Sequence, residues 1–190
     1  SAVFPLLVTD DLKKCGTNIK FFNDIFIYNI LSATKFINYC IRKEEVGYDV
    51  VCFHDWLSSI AGLIIKQELK MPIVFHVHAT EWGRTGSGSE VITHLESTAA
   101  QVSDQIVTVS HTMKDDLTRH GWPEPKIDVV WNGVDPDRYD PNKVKAWEVE
   151  KIREMYGVQK EDPMILFLGR LTWVKGVRNL VQAMAFVLQE

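Results

Sequence analysis

Residues 164–176 read M-I-L-F-L-G-R-L-T-W-V-K-G, and this stretch decides how the fold of the chain is interpreted. Its first five residues, 164–168, are all apolar and follow the helix breaker Pro163. A run this short and this apolar predicts a strand buried on both faces of a parallel sheet. Gly169 permits a tight exit from that strand. A second apolar segment begins after Gly176, so the stretch predicts strand, loop and helix in that order.

Two cations, Arg170 and Lys175, lie on this predicted loop. In an open α/β sheet the loops after the strands line the ligand crevice, and the next helix begins with unpaired N–H groups and a positive dipole end. A guanidinium binds phosphate in a bidentate manner and an ammonium adds a point charge, so the pair suits a pyrophosphate. The loop is not a Walker A motif, because Gly176 stands where Ser or Thr would hold magnesium. A surface loop with two solvated cations explains the bare pattern equally well.

The rest of the chain alternates short apolar runs with amphipathic segments. We predict strands at residues 49–53, 72–77, 105–109 and 127–131, and helices at residues 57–69, 90–102, 110–120 and 143–156. This alternation predicts a Rossmann-like, doubly wound, mainly parallel α/β sheet. Residues 3–8 predict a short edge strand, and residues 21–40 have a helical rhythm whose aromatic stripe predicts core. Residues 83–89 are rich in Gly and Ser and predict a mobile loop.

Composition narrows the class of protein. The chain has 190 residues, 46% of them hydrophobic and 24% charged, and a net charge of −4, which argues against a broad nucleic-acid interface. Cys15, Cys40 and Cys52 are odd in number and lack C-x-x-C spacing, and His94-x-Glu96 lacks the P-C-x-x-C that accompanies it in zinc deaminases. No apolar run approaches the roughly 18–20 residues that span a bilayer. We therefore expect a cytoplasmic protein with no metal site, no membrane span and no nucleic-acid partner.

Ordered motifs add a resemblance to this picture. The run G-R-L-T-W-V-K-G resembles the G-R-L-x-x-x-K-G signature that opens the C-terminal domain of retaining GT-B glycosyltransferases, the group of glycogen and starch synthases and many family 4 enzymes. Further segments are similar to the same family in the right order: H-D-W at 54–56, V-H-A-T-E-W-G-R at 77–84, H-L-E at 94–96, D-Q-I-V-T-V-S at 104–110 and V-V-W-N-G-V-D at 129–135. The resemblance covers nearly the whole chain from about Asp49 onward.

The resemblance implies a transferase of the glycogen synthase type. Such an enzyme moves a hexose, glucose by this analogy, from a nucleotide diphosphate sugar to a glucan or another hydroxyl acceptor with retention. The donor is expected to be of the ADP-glucose or UDP-glucose type, and no other cofactor is expected. The alternatives are a non-catalytic carbohydrate- or nucleotide-binding module and a sugar-nucleotide epimerase of the GT-B type.

The resemblance also implies a division of the chain. Residues 1–140 are expected to form the acceptor-side N-terminal domain of a GT-B protein without its own start. Residues 141–162 are a connector with a surface helix, and residues 163–190 begin the nucleotide-sugar-binding domain. Because that second domain is incomplete, we expect the 190-residue chain alone to be inactive and capable of self-association through it.

The same comparison assigns candidate catalytic residues. They are His78, Arg170 and Lys175. His78 matches a family histidine that resembles a donor-sugar contact, although a structural histidine at a strand end is the alternative. Arg170 and Lys175 would neutralise the departing diphosphate in place of a metal.

Further positions match the acceptor side of the family cleft or the start of its second domain. The substrate-binding candidates are His54, Asp55, Glu81, Arg84 and Gly169, and no metal ligand is assigned. His54 and Asp55 form an acid–base or metal pair, shape the acceptor side, or are structural, with Asp55 capping the next helix and Trp56 packing. Glu81 and Arg84 are an acceptor-side pair or a local salt bridge.

Overall fold

The computed structural model describes residues 17–86 and 88–188 of the chain. The chain divides into two compact units between Asn132 and Gly133, at the predicted N-G turn. The three-part domain scheme remains a prediction, and the edge strand predicted at residues 3–8 lies outside the described residues. Within the described part of the chain, no helix combines the length and apolar character needed to cross a membrane.

The first unit is built on four parallel strands that pair in chain order. They are β1 Val51–His54, β2 Ile73–Val77, β3 Gln105–Thr108 and β4 Ile127–Val129. This confirms the predicted Rossmann-like parallel α/β sheet, with each strand end within two residues of its predicted position. The order is consecutive, so the reversal of strand order in a doubly wound sheet does not fall among these four described strands.

Helices connect the strands. They are α1 Thr17–Lys35, continued as a π-helical segment at Phe36–Lys43, α2 Ser59–Leu69, α3 Glu81–Thr85, α4 Glu90–Val102 and α5 His111–Arg119. Short 3₁₀ turns occupy Trp56–Ser58 and Glu124–Lys126. The predictions of α2, α4 and α5 are confirmed.

The loop predicted at residues 83–89 is partly wrong, because α3 includes its first three positions. The Thr80 hydroxyl accepts a hydrogen bond from the Gly83 N–H at 3.2 Å and thereby caps this short helix. Glycine content alone therefore misidentified a capped turn as a mobile segment.

The core lies on one face of the sheet. Its strands contribute a row of register partners, one from each strand: Phe53, Phe75, Ile106 and Ile127. Ala99 of α4 and Leu117 of α5 pack against this row and are fully buried. Gly62 lets α2 approach β1 closely, since a Cβ at this position would lie 2.4 Å from the Phe53 ring.

Both ends of α5 have the caps that the sequence predicts. The Ser110 hydroxyl accepts a hydrogen bond from the Met113 N–H at 3.1 Å. At the other end Gly121 adopts a φ of 81°, and the Trp122 N–H donates to the Leu117 carbonyl at 3.1 Å. This is the Schellman arrangement, which satisfies carbonyls that the helix leaves unpaired.

The stripe predicted as core at residues 21–40 is partly wrong, because only its second half forms core: Ala33 and Ile37 belong to a buried cluster, and Phe36 packs against it. Phe21, Phe22 and Phe26 are 52%, 40% and 52% exposed. Among residues 20–35 of this helix, the buried positions are Asn29 and Ala33. A small side chain at Ala33 allows α1 to approach α2 closely. The rings of Phe21 and Phe22 lie against Trp56, with centroid distances of 6.2 and 5.8 Å.

Asn29 joins α1 to the start of α2. Its Nδ2 donates to the carbonyls of Ile25 and Leu57, both at 2.8 Å, and its Oδ1 accepts from the Ala61 N–H at 2.9 Å. The first N–H groups of a helix have no partner within the helix, and Asn29 supplies one from a distant part of the chain.

The opposite face of the sheet carries a polar row. Its register partners are His54, His76, Val107 and Asp128, and beside them lie Cys52, Val74 and Gln105. Cys52 and His54 are exposed. Because strand side chains alternate between faces, these residues share one surface.

The second unit contains two helices and two 3₁₀ turns within residues 133–188. They are Pro141–Lys143, α6 Ala146–Met155, Trp173–Lys175 and α7 Val177–Val187. The predicted helices around residue 150 and after Gly176 are confirmed.

The strand predicted at residues 164–168 is wrong, because this segment is assigned to no strand. Leu166 is 76% exposed and Leu168 is 94% exposed. A parallel strand needs neighbours that complete its backbone hydrogen bonds and cover its faces. The described residues of the second unit contain no other strand to supply them.

Candidate active site

Polar side chains meet where β1 and β2 end. His54 is the last residue of β1 and Asp55 follows it, while His78 follows the last residue of β2. Arg84 reaches the same place from α3. Four of the eight predicted site residues are thus brought together at the carboxyl edge of the sheet, where α/β proteins bind ligands.

Asp55 connects the other parts of this cluster through hydrogen bonds. Its Oδ1 accepts hydrogen bonds from the His78 N–H at 2.8 Å and the Ala79 N–H at 3.3 Å. Its Oδ2 accepts from Arg84 Nη2 at 2.7 Å, and its own N–H donates to the His76 carbonyl at 2.9 Å. These four bonds hold the ends of β1, β2 and α3 in one arrangement.

The backbone of Asp55 is strained. Its φ of 52° and ψ of 179° lie in a region that is essentially restricted to glycine. The side chain makes no capping bond to the turn at Trp56–Ser58, so the predicted helix-capping role is wrong. The predicted packing of Trp56 is confirmed, because its side chain is buried. Strain of this kind persists only where surrounding contacts over-determine it, as the four bonds of Asp55 do.

Three imidazoles stack beside Asp55. His54 Nδ1 and His78 Nε2 are 2.9 Å apart and share a hydrogen bond. The ring of His76 contacts both of them, with centroid distances of 4.7 Å to His54 and 4.3 Å to His78. Burial, followed by the neighbouring His78 and His54, lowers the pKa of His76 below its ordinary value of 6.5.

Glu96 supports the site from α4. Its side chain is buried, and its two oxygens accept from the Glu81 N–H at 3.0 and 3.2 Å. Burial is the main cause that raises its pKa from 4.5 to about 7. Glu96 is a supporting residue that we did not predict from the sequence. It falls on the same helix face as Ile92 and Ala99, and a carboxyl within this apolar stripe was the available signal.

The candidate pair Glu81 and Arg84 does not act as one unit. Arg84 forms its ion pair with Asp55. The Glu81 backbone N–H is held by Glu96, and the Glu81 Oε1 accepts from the Ser89 N–H at 3.3 Å. Arg84 therefore belongs to the His54–Asp55–His78 cluster, whereas Glu81 fixes the path of the chain around α3.

A pocket of about 320 Å³ opens beside this cluster. It is bounded by Ala79, Thr80 and Gly83 on one side and by Ser110, Thr112, Met113, Asp116 and Arg119 on the other. Trp82 holds one wall residue in place, since its Nε1 donates to Asp116 at 2.8 Å, and its ring stacks on His120. Hydroxyl, carboxylate and guanidinium groups around a concave surface suit a polyhydroxy ligand.

The remaining candidates, Gly169, Arg170 and Lys175, lie in the second unit. Arg170 and Lys175 are exposed. The Arg170 carbonyl accepts from the Thr172 N–H at 2.8 Å, and Lys175 ends the 3₁₀ turn that leads through Gly176 into α7. The predicted order of cationic loop and helix is confirmed, and the binding roles of these three residues stay predictions.

Fold and site together define a Rossmann-like α/β protein with a polar ligand crevice at the carboxyl ends of its strands. Residues 16–138 match Glycosyltransferase Family 4. That match covers more than half of the chain, and the chain belongs to this family.

Several relatives are consistent with this assignment. An uncharacterised glycosyltransferase of Methanocaldococcus jannaschii is 39% identical over 149 residues, which cover 75% of this chain and 37% of the relative. The glycogen synthase of Mycobacterium tuberculosis is 29% identical over 176 residues, covering 86% of this chain and 40% of that enzyme. The chain therefore spans about two fifths of the length of these relatives.

Solved structures share the fold. The sucrose-phosphate synthase of Thermosynechococcus elongatus superposes with a TM-score of 0.63 at 18% identity, over 82% of this chain and 39% of that structure. A glycosyltransferase of Rickettsia africae superposes with a TM-score of 0.51 at 24% identity, over 75% of this chain and 36% of that structure.

Proposed function

We propose that the protein functions as a retaining hexosyltransferase of the GT-B type. It would transfer glucose from ADP-glucose or UDP-glucose to a glucan or another hydroxyl acceptor. The observation that carries this proposal is the family 4 match of residues 16–138, which includes the ordered cluster of His54, Asp55, His78 and Arg84. Relatives named glycogen synthase and alpha-maltose-1-phosphate synthase support a glucose donor and a carbohydrate acceptor.

The first unit would hold the sugars. His78 has Nε2 engaged with His54, so its remaining ring nitrogen is the atom left to meet a sugar hydroxyl. Asp55 fixes the backbone of His78 and the guanidinium of Arg84 at once, so it would act as a positioning residue. The adjacent pocket of about 320 Å³ has room for a sugar ring, and Ser110, Asp116 and Arg119 in its wall offer hydrogen-bonding groups.

The second unit would supply charge for the leaving group. As the bond between the anomeric carbon and the diphosphate oxygen breaks, negative charge develops on the nucleotide diphosphate. Arg170 and Lys175 would neutralise that charge, and the acceptor hydroxyl would form the new bond to the anomeric carbon while its proton passes to an oxygen of the departing diphosphate. No metal is assigned to this step. The proposed compartment is the cytoplasm, where nucleotide sugars are available to such enzymes.

The test is release of nucleotide diphosphate from ADP-glucose and UDP-glucose, with and without glucan, by the product of the whole gene and by the 190-residue chain. We expect acceptor-dependent release by the gene product, lowered by roughly 10²–10³-fold in Arg170→Ala and in Lys175→Ala. Lys151→Ala, an exposed lysine on α6, is the matched control. Wild-type turnover in both variants would remove the proposed roles.

Other outcomes separate the alternatives. Loss of the nucleotide without acceptor would indicate an epimerase, and tight binding without release would indicate a binding module. For His78→Ala we expect reduced transfer with nearly unchanged binding of the nucleotide diphosphate. An earlier thermal melt together with loss of that binding would instead make His78 a structural residue.

A further inference from the structure

Three metal-ligating side chains converge on the polar face of the sheet. Cys52 and His54 are two residues apart on β1 and therefore point to the same side. His76 is the register partner of His54 on β2. One potential ligand atom from each residue lies within 4.8 Å of the other two, and Cys52 Sγ is 3.7 Å from His54 Nε2.

We propose that Cys52, His54 and His76 bind one Zn²⁺ ion, with water in the fourth position. Thiolate and imidazole are the ligands that zinc prefers, whereas magnesium and calcium select oxygen ligands. Ligands that are about 2.0–2.3 Å from a tetrahedral zinc ion are about 3.3–3.6 Å from one another. The distance between Cys52 Sγ and His54 Nε2 is close to this range, and small side-chain rotations bring in the third ligand.

A second observation supports a ligand here. His76 Nε2 is shielded from solvent and has no hydrogen-bond partner among the described residues. Buried ring nitrogens are normally paired, and a metal bond is one way to satisfy such an atom. Two of the three ligands also border a concave surface, since a pocket of about 280 Å³ includes Cys52 and His54 in its wall.

His78 would complete the site from outside the coordination shell. A zinc ion on His54 Nε2 leaves the His54 proton on Nδ1, which then donates to His78 Nε2 at 2.9 Å. Metal-bound histidines commonly use their second nitrogen in this way. Zinc would therefore fix the proton of a neutral His78 on Nδ1, and metal content and the state of His78 become linked.

The spacing of the cysteines contains no familiar metal-binding motif, and from the sequence alone we therefore expected no metal. The ligands come from two strands that are joined by α2, so their proximity depends on the strand register and not on local spacing. Cys52, His54 and His76 can be recognised as a possible metal site only once His54 and His76 are known to be neighbours in the sheet.

The test uses Zn²⁺ and Co²⁺ salts with the 190-residue chain purified in the presence of a chelator and then freed of it. Zinc binding is measured by competition with a chromogenic chelator, and cobalt binding by absorbance, because a thiolate ligand gives a near-ultraviolet charge-transfer band. We expect one equivalent of metal and a thiolate band. Cys52→Ser should abolish the band and weaken zinc binding at least about tenfold. His54→Ala should weaken zinc binding by a similar factor.

Matched controls are Cys40→Ser, which removes a free cysteine from the π-helical segment, and His94→Ala, which removes an exposed histidine from α4. Both should bind metal as the parent chain does. Far-UV circular dichroism checks the fold of each variant. Because Cys52 is exposed, we expect Cys52→Ser to fold as the parent chain does. An unchanged band in Cys52→Ser, or less than a tenth of an equivalent bound by the parent chain, would overturn the proposal.

Discussion

Replacement of Glu96 by glutamine should remove a pH-dependent loss of stability from the first unit. Burial raises the pKa of this carboxyl from 4.5 to about 7, so the folded state keeps the proton that the unfolded state releases. One pKa unit corresponds to about 1.4 kcal/mol, and the shift therefore corresponds to about 3 kcal/mol in total. Glutamine imitates the protonated carboxyl and retains an oxygen for the Glu81 N–H.

The direction in which the free energy of unfolding changes with pH follows from proton linkage. A carboxyl whose folded pKa is raised gives stability that is fully present below the unfolded pKa and is lost as pH rises through the folded pKa. For Glu96 this window runs from pH 4.5 to about 7. The free energy of unfolding of Glu96→Gln minus that of the parent should increase by about 2–3 kcal/mol between about pH 5 and about pH 8.5.

Comparing the two proteins at each pH isolates Glu96 from other groups. His76 has a lowered pKa, so its contribution to stability has the opposite sign and is lost as pH falls below 6.5. It is common to both proteins and cancels in the difference. Urea unfolding followed by tryptophan fluorescence is suitable, because the buried Trp122 reports on this unit.

Glu68→Gln, at an exposed position of α2, is the control for the same chemical change, and its difference from the parent should be small at every pH. A difference for Glu96→Gln that does not vary with pH would refute the reasoning. So would a variant that is less stable than the parent at about pH 8.5, because the raised pKa requires the charged form of Glu96 to be the destabilising one.

Two packing predictions concern α2. Gly62→Ala should cost about 1–3 kcal/mol of stability, since its Cβ would lie 2.4 Å from the Phe53 ring, whereas Gly47→Ala meets nothing within 4 Å and should be nearly neutral. Asn29→Ala should cost about 2–3 kcal/mol, because it leaves the buried Ala61 N–H without its acceptor. Urea midpoints measure both, and an Asn29→Ala protein as stable as the parent would contradict the capping role.

Local signals predicted the first unit well. The helix α5 lies where Ser110 and Gly121 predict its ends, because both caps are formed by residues within a few positions of the helix. Strands were located because their apolar runs are buried in the sheet that they themselves form. The segment 164–168 has the same local signal, but a strand also needs partners, and no property of five residues reveals whether partners are present.

The site was predicted only in part for a similar reason. Strand ends placed His54, Asp55 and His78 at one edge, since parallel topology alone brings them together. The bond of Asp55 to Arg84 and the support of Glu81 by Glu96 depend on how α3 and α4 turn, which the sequence does not state. The exposed rings of α1 were mispredicted for a related reason. Helical periodicity identifies an apolar stripe without showing whether another element covers it.

Asp55 is a position where two demands on one residue disagree. Glycine adopts its backbone angles without the cost of about 1–3 kcal/mol that other residues incur there, so Asp55→Gly would relieve backbone strain. That exchange removes the carboxylate that joins His78, Ala79 and Arg84. The strain at Asp55 is thus tied to the order of the site, and a stability assay of Asp55→Gly needs a ligand-binding assay beside it to separate the two effects.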